Sequence, residues 1–198
     1  MFLKEDLLSK KFIGIFSNTY LLFDLNEELL FIDQHALHER IIYESIKNEK
    51  FSESFQNLLN PIFLKKDLET INFVIKNEDL FKEAGLILTT IDDNTIVIKA
   101  YSKFIDKIGF EEYYNILFAR IKENFSLNEI KEDFFRKIKG DIACKKAFRA
   151  GDKLKEFEIS LLIEKAFYYE NVFLCPHGRP TFYKLSKKNI EKMFKRIE

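Results

Sequence analysis

Two short segments of the chain hold side chains that can bind a metal ion. His35 and Glu39 are four residues apart, so a helix over this segment presents both from one face. Cys175 and His177 flank Pro176, and a thiolate and an imidazole at this spacing can chelate one ion. Each pair alone has a simpler explanation, a surface histidine beside a helical glutamate or a buried cysteine beside a loop histidine. Together, the two pairs favour a shared metal site.

Cys144 is the other cysteine of a chain that has only two, too few for a disulfide framework. It lies in a predicted helix, where a cysteine is usually a small apolar residue. Its basic neighbours favour the thiolate form, which is the form that binds metals. These neighbours are Lys145, Lys146 and Arg149.

The combined ligand types indicate which ions such a site would hold. Thiolate, imidazole and carboxylate ligands together suit Zn²⁺, and a bridging carboxylate suits a pair of ions that also admits Mn²⁺. Two neighbouring ions stabilise the attacking and leaving oxygens in phosphodiester cleavage. Asp33, at the end of a predicted strand beside His35, is a spare carboxylate that can orient an ion or activate water.

The elements that must position these residues follow a mixed α+β order. Residues 12–32 predict a three-stranded β-meander with turns at Ser17-Asn18 and Asn26-Glu27, and residues 34–50 predict a helix. Gly85 is a candidate cap at the end of a later helix. Further along, the pattern predicts strands at 62–66, 70–75, 94–100, 171–175 and 181–185, and helices at 76–85, 110–125, 129–149, 153–168 and after Ser186.

Composition limits the class of protein. The chain is 46% hydrophobic, which suits a folded core, and its 32 basic and 32 acidic residues give zero net charge. The total hides an asymmetry, because residues 1–130 carry 15 basic and 22 acidic residues whereas residues 131–198 carry 17 and 10. No apolar run approaches the roughly 18 residues that span a bilayer, and the charged N-terminal stretch does not fit a signal peptide. We therefore expect a cytoplasmic protein with no membrane partner.

Three motifs together resemble the C-terminal endonuclease domain of bacterial MutL mismatch-repair proteins. DQHALHERIIYE, from Asp33, fits DQHA-x2-E-x4-E, the endonuclease motif of that family. ACKKAFRAGDKL, from Ala143, resembles the family's second motif, and CPHGRP at 175–180 matches the third. The closing MFKR resembles its C-terminal Phe-x-Arg element. The motifs keep the family's order over residues 33–196, so the resemblance covers nearly the whole chain.

The resemblance implies a complete metal site with a catalytic carboxylate. The family's ligands correspond to His35, Glu39, Cys144, Cys175 and His177. The aspartate of the first motif, which the family needs for nicking, is Asp33, so Asp33 and Glu39 take the catalytic role. We expect the remaining motif positions, Gln34 and Glu44, to support the site.

Basic residues near the motifs are the candidates for contact with the DNA backbone, and they are Lys145, Lys146, Arg149 and Arg179. For Arg179, a structural salt bridge is an equally good interpretation. His38 lies outside the family's ligand pattern and is interpreted as a bystander.

The resemblance also implies an architecture and partners. The family's domain is a homodimer in bacteria, with a dimerisation lobe from both chain ends, here residues 1–60 plus 141–198, and an inserted regulatory α/β lobe, here 61–140. Duplex DNA and the mismatch-recognition protein MutS are the implied partners. The family's ATPase lobe is not in this sequence, and with 6 glycines and no glycine-rich nucleotide loop we expect no ATP in this domain. We expect the chain to be a domain taken from a longer protein, with Met1 added.

One short stretch predicts a further partner. Residues 56–61 fit Gln-x2-Leu/Ile-x-Pro, a pattern that resembles a sliding-clamp-binding peptide in nicking MutL proteins. Gln56, Leu59 and Pro61 fill its positions, with Leu59 as an apolar anchor for a groove. The alternative is a loop between lobes.

The sequence therefore predicts an endonuclease that nicks one strand of duplex DNA and depends on one or two Zn²⁺ and/or Mn²⁺ ions. The alternative is a dimerisation and sliding-clamp-docking module with a structural zinc site and no nicking of its own.

Overall fold

The computed structural model describes residues 11–123, 131–149 and 151–197. Its strands are β1 (Lys11–Phe16), β2 (Tyr20–Asp24), β3 (Glu28–Asp33), β4 (Phe55–Lys65), β5 (Leu86–Asp92), β6 (Thr95–Ser102) and β7 (Phe182–Ser186). Its helices are α1 (Gln34–Ile46), α2 (Leu68–Lys76), α3 (Glu78–Glu83), α4 (Lys103–Ile108), α5 (Phe110–Glu123), α6 (Lys131–Lys146), α7 (Glu156–Ala166) and α8 (Lys187–Met193). The combination of helices and antiparallel sheets confirms the predicted α+β class.

Within the described parts of the chain, no helix is both long and apolar enough to cross a membrane.

The chain divides into two compact units. The first consists of Met1–Lys47 and Ala143–Glu198, and the second of Asn48–Ile142. The first contains an antiparallel sheet in the order β1-β2-β3-β7, and the second an antiparallel sheet in the order β4-β6-β5. The finer assignment of a dimerisation lobe at 1–60 plus 141–198 and a regulatory lobe at 61–140 stays a prediction.

The first unit opens with the predicted β-meander. Ser17 and Asn18 form the β1–β2 turn with φ of 52° and 49°, and Asn26 in the next turn has φ of 71°. These left-handed conformations suit short polar side chains such as asparagine. The strand β7 then pairs with β3 on the far side of the meander, with Leu30 opposite Lys184.

The core of this unit lies on one face of the sheet. Alternate residues of β2 and β3 are buried there and pack against helices α1 and α7. The buried side chains include Leu21, Phe23, Leu30, Ile32, Leu37, Ile41, Ile159, Leu162 and Ile163. This packing fixes α1 against the sheet, and α1 carries the first metal-site motif.

The opposite face of the same sheet is apolar and partly exposed among the residues that the structure describes. Cross-strand pairing of Phe16 with Tyr20, and of Phe31 with both Leu22 and Tyr183, places these residues on that face. Phe16 and Tyr183 are 60% and 64% exposed. We call these five residues the open sheet face.

In the second unit, residues 70–75 were predicted to be a strand, and this prediction is wrong, because they belong to α2. Asp67 caps that helix by accepting the N–H of Thr70 at 2.8 Å. Ile71, Phe73 and Val74 are buried, as the helix requires for its packing. A short apolar run cannot by itself distinguish a strand from a buried helix.

The strand β4 contains Pro61, a residue that cannot donate a backbone hydrogen bond. β4 is an edge strand of its sheet, where proline is tolerated because it removes no ladder hydrogen bond. Its register with β6 shifts between Asn57 and Ile62, so Pro61 falls in the irregular part.

Gly85 follows α3 as predicted, with φ of 82°. A Cβ at this position would lie 2.6 Å from the carbonyl oxygen of Phe51, so the close approach also requires glycine.

Candidate metal centre

The helix α1 begins immediately where β3 ends. Asp33 is its N-cap, and Oδ1 of Asp33 accepts the N–H of Ala36 at 2.9 Å. The first two turns of the helix present His35 and Glu39 from the same face. His35 Nε2 lies 3.7 Å from Glu39 Oε2. The Glu39 side chain is completely buried, and a buried carboxylate requires cationic or hydrogen-bonding partners.

The Glu39 carboxylate belongs to two groups of candidate ligands. One group is His35, Glu39 and Cys144, and the other is Glu39, Cys175 and His177, and within each group the ligand atoms lie within 4.8 Å of one another. On the second side, Glu39 Oε1 is 2.5 Å from Nδ1 of His177. The structure thus brings together the five residues predicted as ligands, whose role in binding metal stays a prediction.

The donors in these groups fit a zinc-like ion. His35 Nδ1 is 2.6 Å from the carbonyl oxygen of Phe148, which can only accept a hydrogen bond, so Nδ1 carries the proton. In the neutral ring, the lone pair is then on Nε2, the atom that faces Glu39. Nitrogen and oxygen ligands about 2.0–2.2 Å from a tetrahedral zinc are about 3.3–3.5 Å apart. His35 Nε2 and Glu39 Oε2, which are 3.7 Å apart, lie slightly beyond this separation.

The segment around Cys175 is a closed loop, so the predicted strand at 171–175 is wrong. Its only strand-like pairing in the described chain is a bridge between Leu174 and Pro180. Inside it, Cys175 N–H donates to Arg179 O at 2.8 Å and Gly178 N–H donates to Cys175 O at 2.9 Å. These bonds direct the backbone into a turn and bury Cys175, which is 1% exposed.

Arg179 forms a salt bridge, which was one of the two roles predicted for it from the sequence. Its Nη2 lies 3.0 Å from Glu39 Oε2, while the side chain is 54% exposed. Hydrogen bonding to Cys175, together with the nearby Glu39 carboxylate, raises the pKa of Arg179. Its contact with a DNA phosphate stays a prediction.

The other motif residues surround this cluster. Asp33 is a member of neither ligand group, since its carboxylate caps α1. Gln34 is fully buried and its Nε2 donates to the carbonyls of Asn18 and Asp152 at 2.5 and 3.1 Å. These bonds tie two loops to the start of α1, which is a supporting position. Glu44 is also buried, one turn beyond the ligands.

The basic residues predicted to contact DNA lie at the surface. Lys145, Lys146 and Arg149 are exposed at and beyond the C-terminal end of α6, the helix that carries Cys144.

His38 has a structural role that the sequence did not reveal. Its Nδ1 accepts the N–H of Phe148 at 3.1 Å, and the two rings lie with centroids 4.0 Å apart. Burial, with the nearby charge of Lys165, lowers the pKa of His38 to about 4, so the ring is neutral and can accept. His35 and His38 thus hold the two backbone groups of Phe148, and His38 is not the predicted bystander.

We expect the change His38→Ala to reduce the free energy of unfolding by about 1–3 kcal/mol, because the half-buried N–H of Phe148 loses its acceptor. His38→Asn keeps an acceptor near the position of Nδ1 and should lose less. Urea unfolding midpoints of the metal-free proteins test this prediction. A midpoint for His38→Ala equal to that of the unmodified protein would show that the hydrogen bond contributes nothing.

Comparison with known proteins identifies the family. A family model described as the MutL C terminal dimerisation domain matches residues 13–154. The chain belongs to the MutL family. The match includes His35, Glu39 and Cys144 and ends before the loop of Cys175.

MutL relatives extend the similarity over nearly the whole chain. DNA mismatch repair protein MutL of Clostridium botulinum (strain Kyoto / Type A2) is 38% identical over 190 residues, which are 95% of this chain and 28% of that protein. The MutL proteins of Clostridium tetani and Clostridium acetobutylicum are 36% and 37% identical over 98% and 94% of this chain. The chain spans about 28 to 32% of the length of these relatives.

Proposed function

We propose that this MutL C-terminal domain is a metal-dependent endonuclease that nicks one strand of duplex DNA in mismatch repair. The observation that supports the proposal is the buried Glu39 carboxylate, which both donor groups share. Zn²⁺ or Mn²⁺ held by His35, Glu39, Cys144, Cys175 and His177 would polarise a phosphodiester and generate a nucleophilic water at neutral pH.

The protein's own residues perform three tasks in this proposal. The buried Glu39 carboxylate is held in place by its contacts with His177 and Arg179. The bond from His35 Nδ1 to Phe148 fixes the orientation of the imidazole. The exposed cations after Cys144 attract the DNA backbone, so we expect binding to weaken as salt increases.

Asp33 provides the test of the nicking proposal. Asp33→Asn keeps a side-chain oxygen that can cap α1 but removes the charge, so the fold should be retained. We expect nicking of supercoiled plasmid with Mn²⁺ to fall by about 10²- to 10⁴-fold, as for the loss of a general base.

Asp67→Asn is the matched control, because Asp67 caps α2 in the same way and belongs to neither ligand group. It should nick like the unmodified protein. A normal nicking rate for Asp33→Asn would contradict the catalytic role of Asp33.

We propose further that the domain forms a homodimer through the open sheet face. The family model describes a dimerisation domain, and this apolar face offers five side chains from four neighbouring strands. A second copy of the same face would bury them by two-fold symmetry.

A second candidate function is a dimerisation and sliding-clamp-docking module whose zinc is structural. The observation that favours docking is Leu59, whose side chain is fully exposed where β4 loses its register with β6. Pro61 is exposed beside it, while Gln56 donates to Asp106 at 2.8 Å. An anchor presented in this way suits a hydrophobic groove on a clamp. Binding to MutS follows from the family resemblance alone.

Chelation distinguishes the two candidates. If chelators abolish nicking while the fold and the dimer persist, the metal is catalytic. If chelators unfold a domain that never nicked, the metal is structural, since structural zinc contributes directly to folding.

A further inference from the structure

The residue that follows Glu39 connects α1 to the loop of Cys175. Arg40 Nε donates to the carbonyl oxygen of Leu174 at 2.5 Å, and Leu174 directly precedes Cys175. Only 14% of the Arg40 side chain is exposed, so most of this side chain is packed against the protein, although its acceptor residue Leu174 is itself exposed. The same helix therefore supplies the ligand Glu39 and a donor to the segment that must bring Cys175 to it.

Glu44 fixes the direction of this arginine. Glu44 Oε1 accepts from Arg40 Nη1 at 3.0 Å, and its side chain is 4% exposed. The two residues are four apart on α1, so they lie on one face of the helix. A planar guanidinium with fixed donors can bind Glu44 on one side and Leu174 on the other, which a lysine ammonium cannot do equally well.

At its first end the loop is also anchored by Val172, which is buried in the core of this unit, and by Phe173, whose carbonyl oxygen accepts the N–H of Thr181 at 3.0 Å. Its closing bridge, between Leu174 and Pro180, is internal. At the far end, Thr181 is tied to the sheet because its carbonyl accepts the N–H of Asp33 at 2.9 Å. Among the described contacts of Leu174, the bond from Arg40 is the one that comes from α1.

We propose that Arg40, oriented by Glu44, is the positioning residue that holds the Cys175-Pro176-His177 loop against the Glu39 carboxylate. The hydrogen bonds of Arg40 do not depend on a metal ion, whereas the expected effect on metal affinity rests on the proposed metal site. It assigns a mechanism to Glu44, which acts through Arg40 and not on an ion. Loss of a residue that orients a ligand typically costs about 10- to 100-fold in metal affinity.

The experiment measures alkylation of the metal-free protein by iodoacetamide, with Cys175 and Cys144 followed separately by peptide mass spectrometry. In Arg40→Met, we expect Cys175 to react at least about tenfold faster while the rate at Cys144 is unchanged. Glu44→Gln should give a smaller increase at Cys175, and it should add nothing when combined with Arg40→Met. Cys144 is the internal control, because a general loss of stability would expose both thiols.

Lys47→Met is the matched control variant. Lys47 pairs with the other oxygen of Glu44, Oε2, so the substitution removes a cation from the same carboxylate without touching Leu174. It should leave the reactivity of Cys175 unchanged. Equal increases at both cysteines, or no increase at Cys175 in Arg40→Met and Glu44→Gln, would overturn the proposal.

A titration with Co²⁺, followed by the thiolate-to-metal absorption band, separates this inference from the proposed function. In Arg40→Met, the affinity for Co²⁺ of the group that contains Cys175 should fall by about 10- to 100-fold. If the unmodified protein binds no Co²⁺, the metal site itself fails, while the alkylation rates still decide the role of Arg40.

Discussion

Glu39→Gln is expected to abolish binding at both halves of the metal centre at once. Glu39 is the residue common to the two ligand groups, and its two oxygens face different partners. A glutamine offers one neutral oxygen, so an ion bound at either ligand group would lose its carboxylate ligand. Because loss of a residue that only orients a ligand costs about 10- to 100-fold in affinity, loss of the shared ligand should cost more than about 100-fold.

The fold should survive this substitution. Glutamine has nearly the same shape as glutamate, and Arg179, which loses its ionic partner, is 54% exposed and can be solvated. Metal content measured after gel filtration should therefore fall to background in a folded protein, and nicking with it.

Variants that remove a ligand from only one of the two ligand groups provide the comparison for Glu39→Gln. Cys144→Ser removes a ligand from one group only and Cys175→Ser from the other, so each should weaken one half of the centre. Glu28→Gln is the neutral control, since Glu28 pairs with Lys184 at the surface. If Glu39→Gln lost no more metal than Cys144→Ser alone, Glu39 would not be a shared ligand.

Phe31→Glu is expected to convert the dimer to a monomer. Phe31 lies on the central strand β3 of the open sheet face, between Leu22 and Tyr183. A two-fold axis would place two new carboxylates in one apolar interface, without cationic partners. An unpaired buried charge costs about 3–5 kcal/mol, which corresponds to an increase of about 10²- to 10⁴-fold in Kd for each copy.

Sedimentation velocity over a range of protein concentrations measures this change. Ile91→Glu is the matched control, because Ile91 is an exposed apolar residue, 61% accessible, in the second unit. It should remain dimeric. A dimer that persists in Phe31→Glu and dissociates in Ile91→Glu would assign the interface to the other unit.

The sequence predicted the grouping of the candidate ligands well where their spacing is local. Asp33, His35 and Glu39 lie within one strand end and two turns of helix, so helical periodicity alone places them. The meeting of this helix with Cys144 and with Cys175 required the family's motifs, since no local rule relates positions so far apart in the chain.

The sequence missed the residues that act through backbone groups. Neither His38, which accepts from Phe148, nor Arg40, which donates to Leu174, has a pattern that distinguishes it from a surface residue. Their partners are main-chain atoms more than 100 residues away, and any residue type can supply such atoms. The strand predicted at 70–75 failed for a related reason, because tertiary burial of both Phe73 and Val74 favours the helix.

The pairing of β3 with β7 has a consequence for the order of folding. The meander β1-β2-β3 joins strands that are consecutive in the chain. The free edge of β3, in contrast, pairs with β7, where Leu30 lies opposite Lys184, which is more distant in the sequence. Contacts of such high sequence separation are slow to form, because closing the intervening loop costs chain entropy first. During synthesis, β3 is therefore an open edge until Phe182–Ser186 has left the ribosome, and the candidate ligands Cys175 and His177 reach α1 only at a similarly late stage.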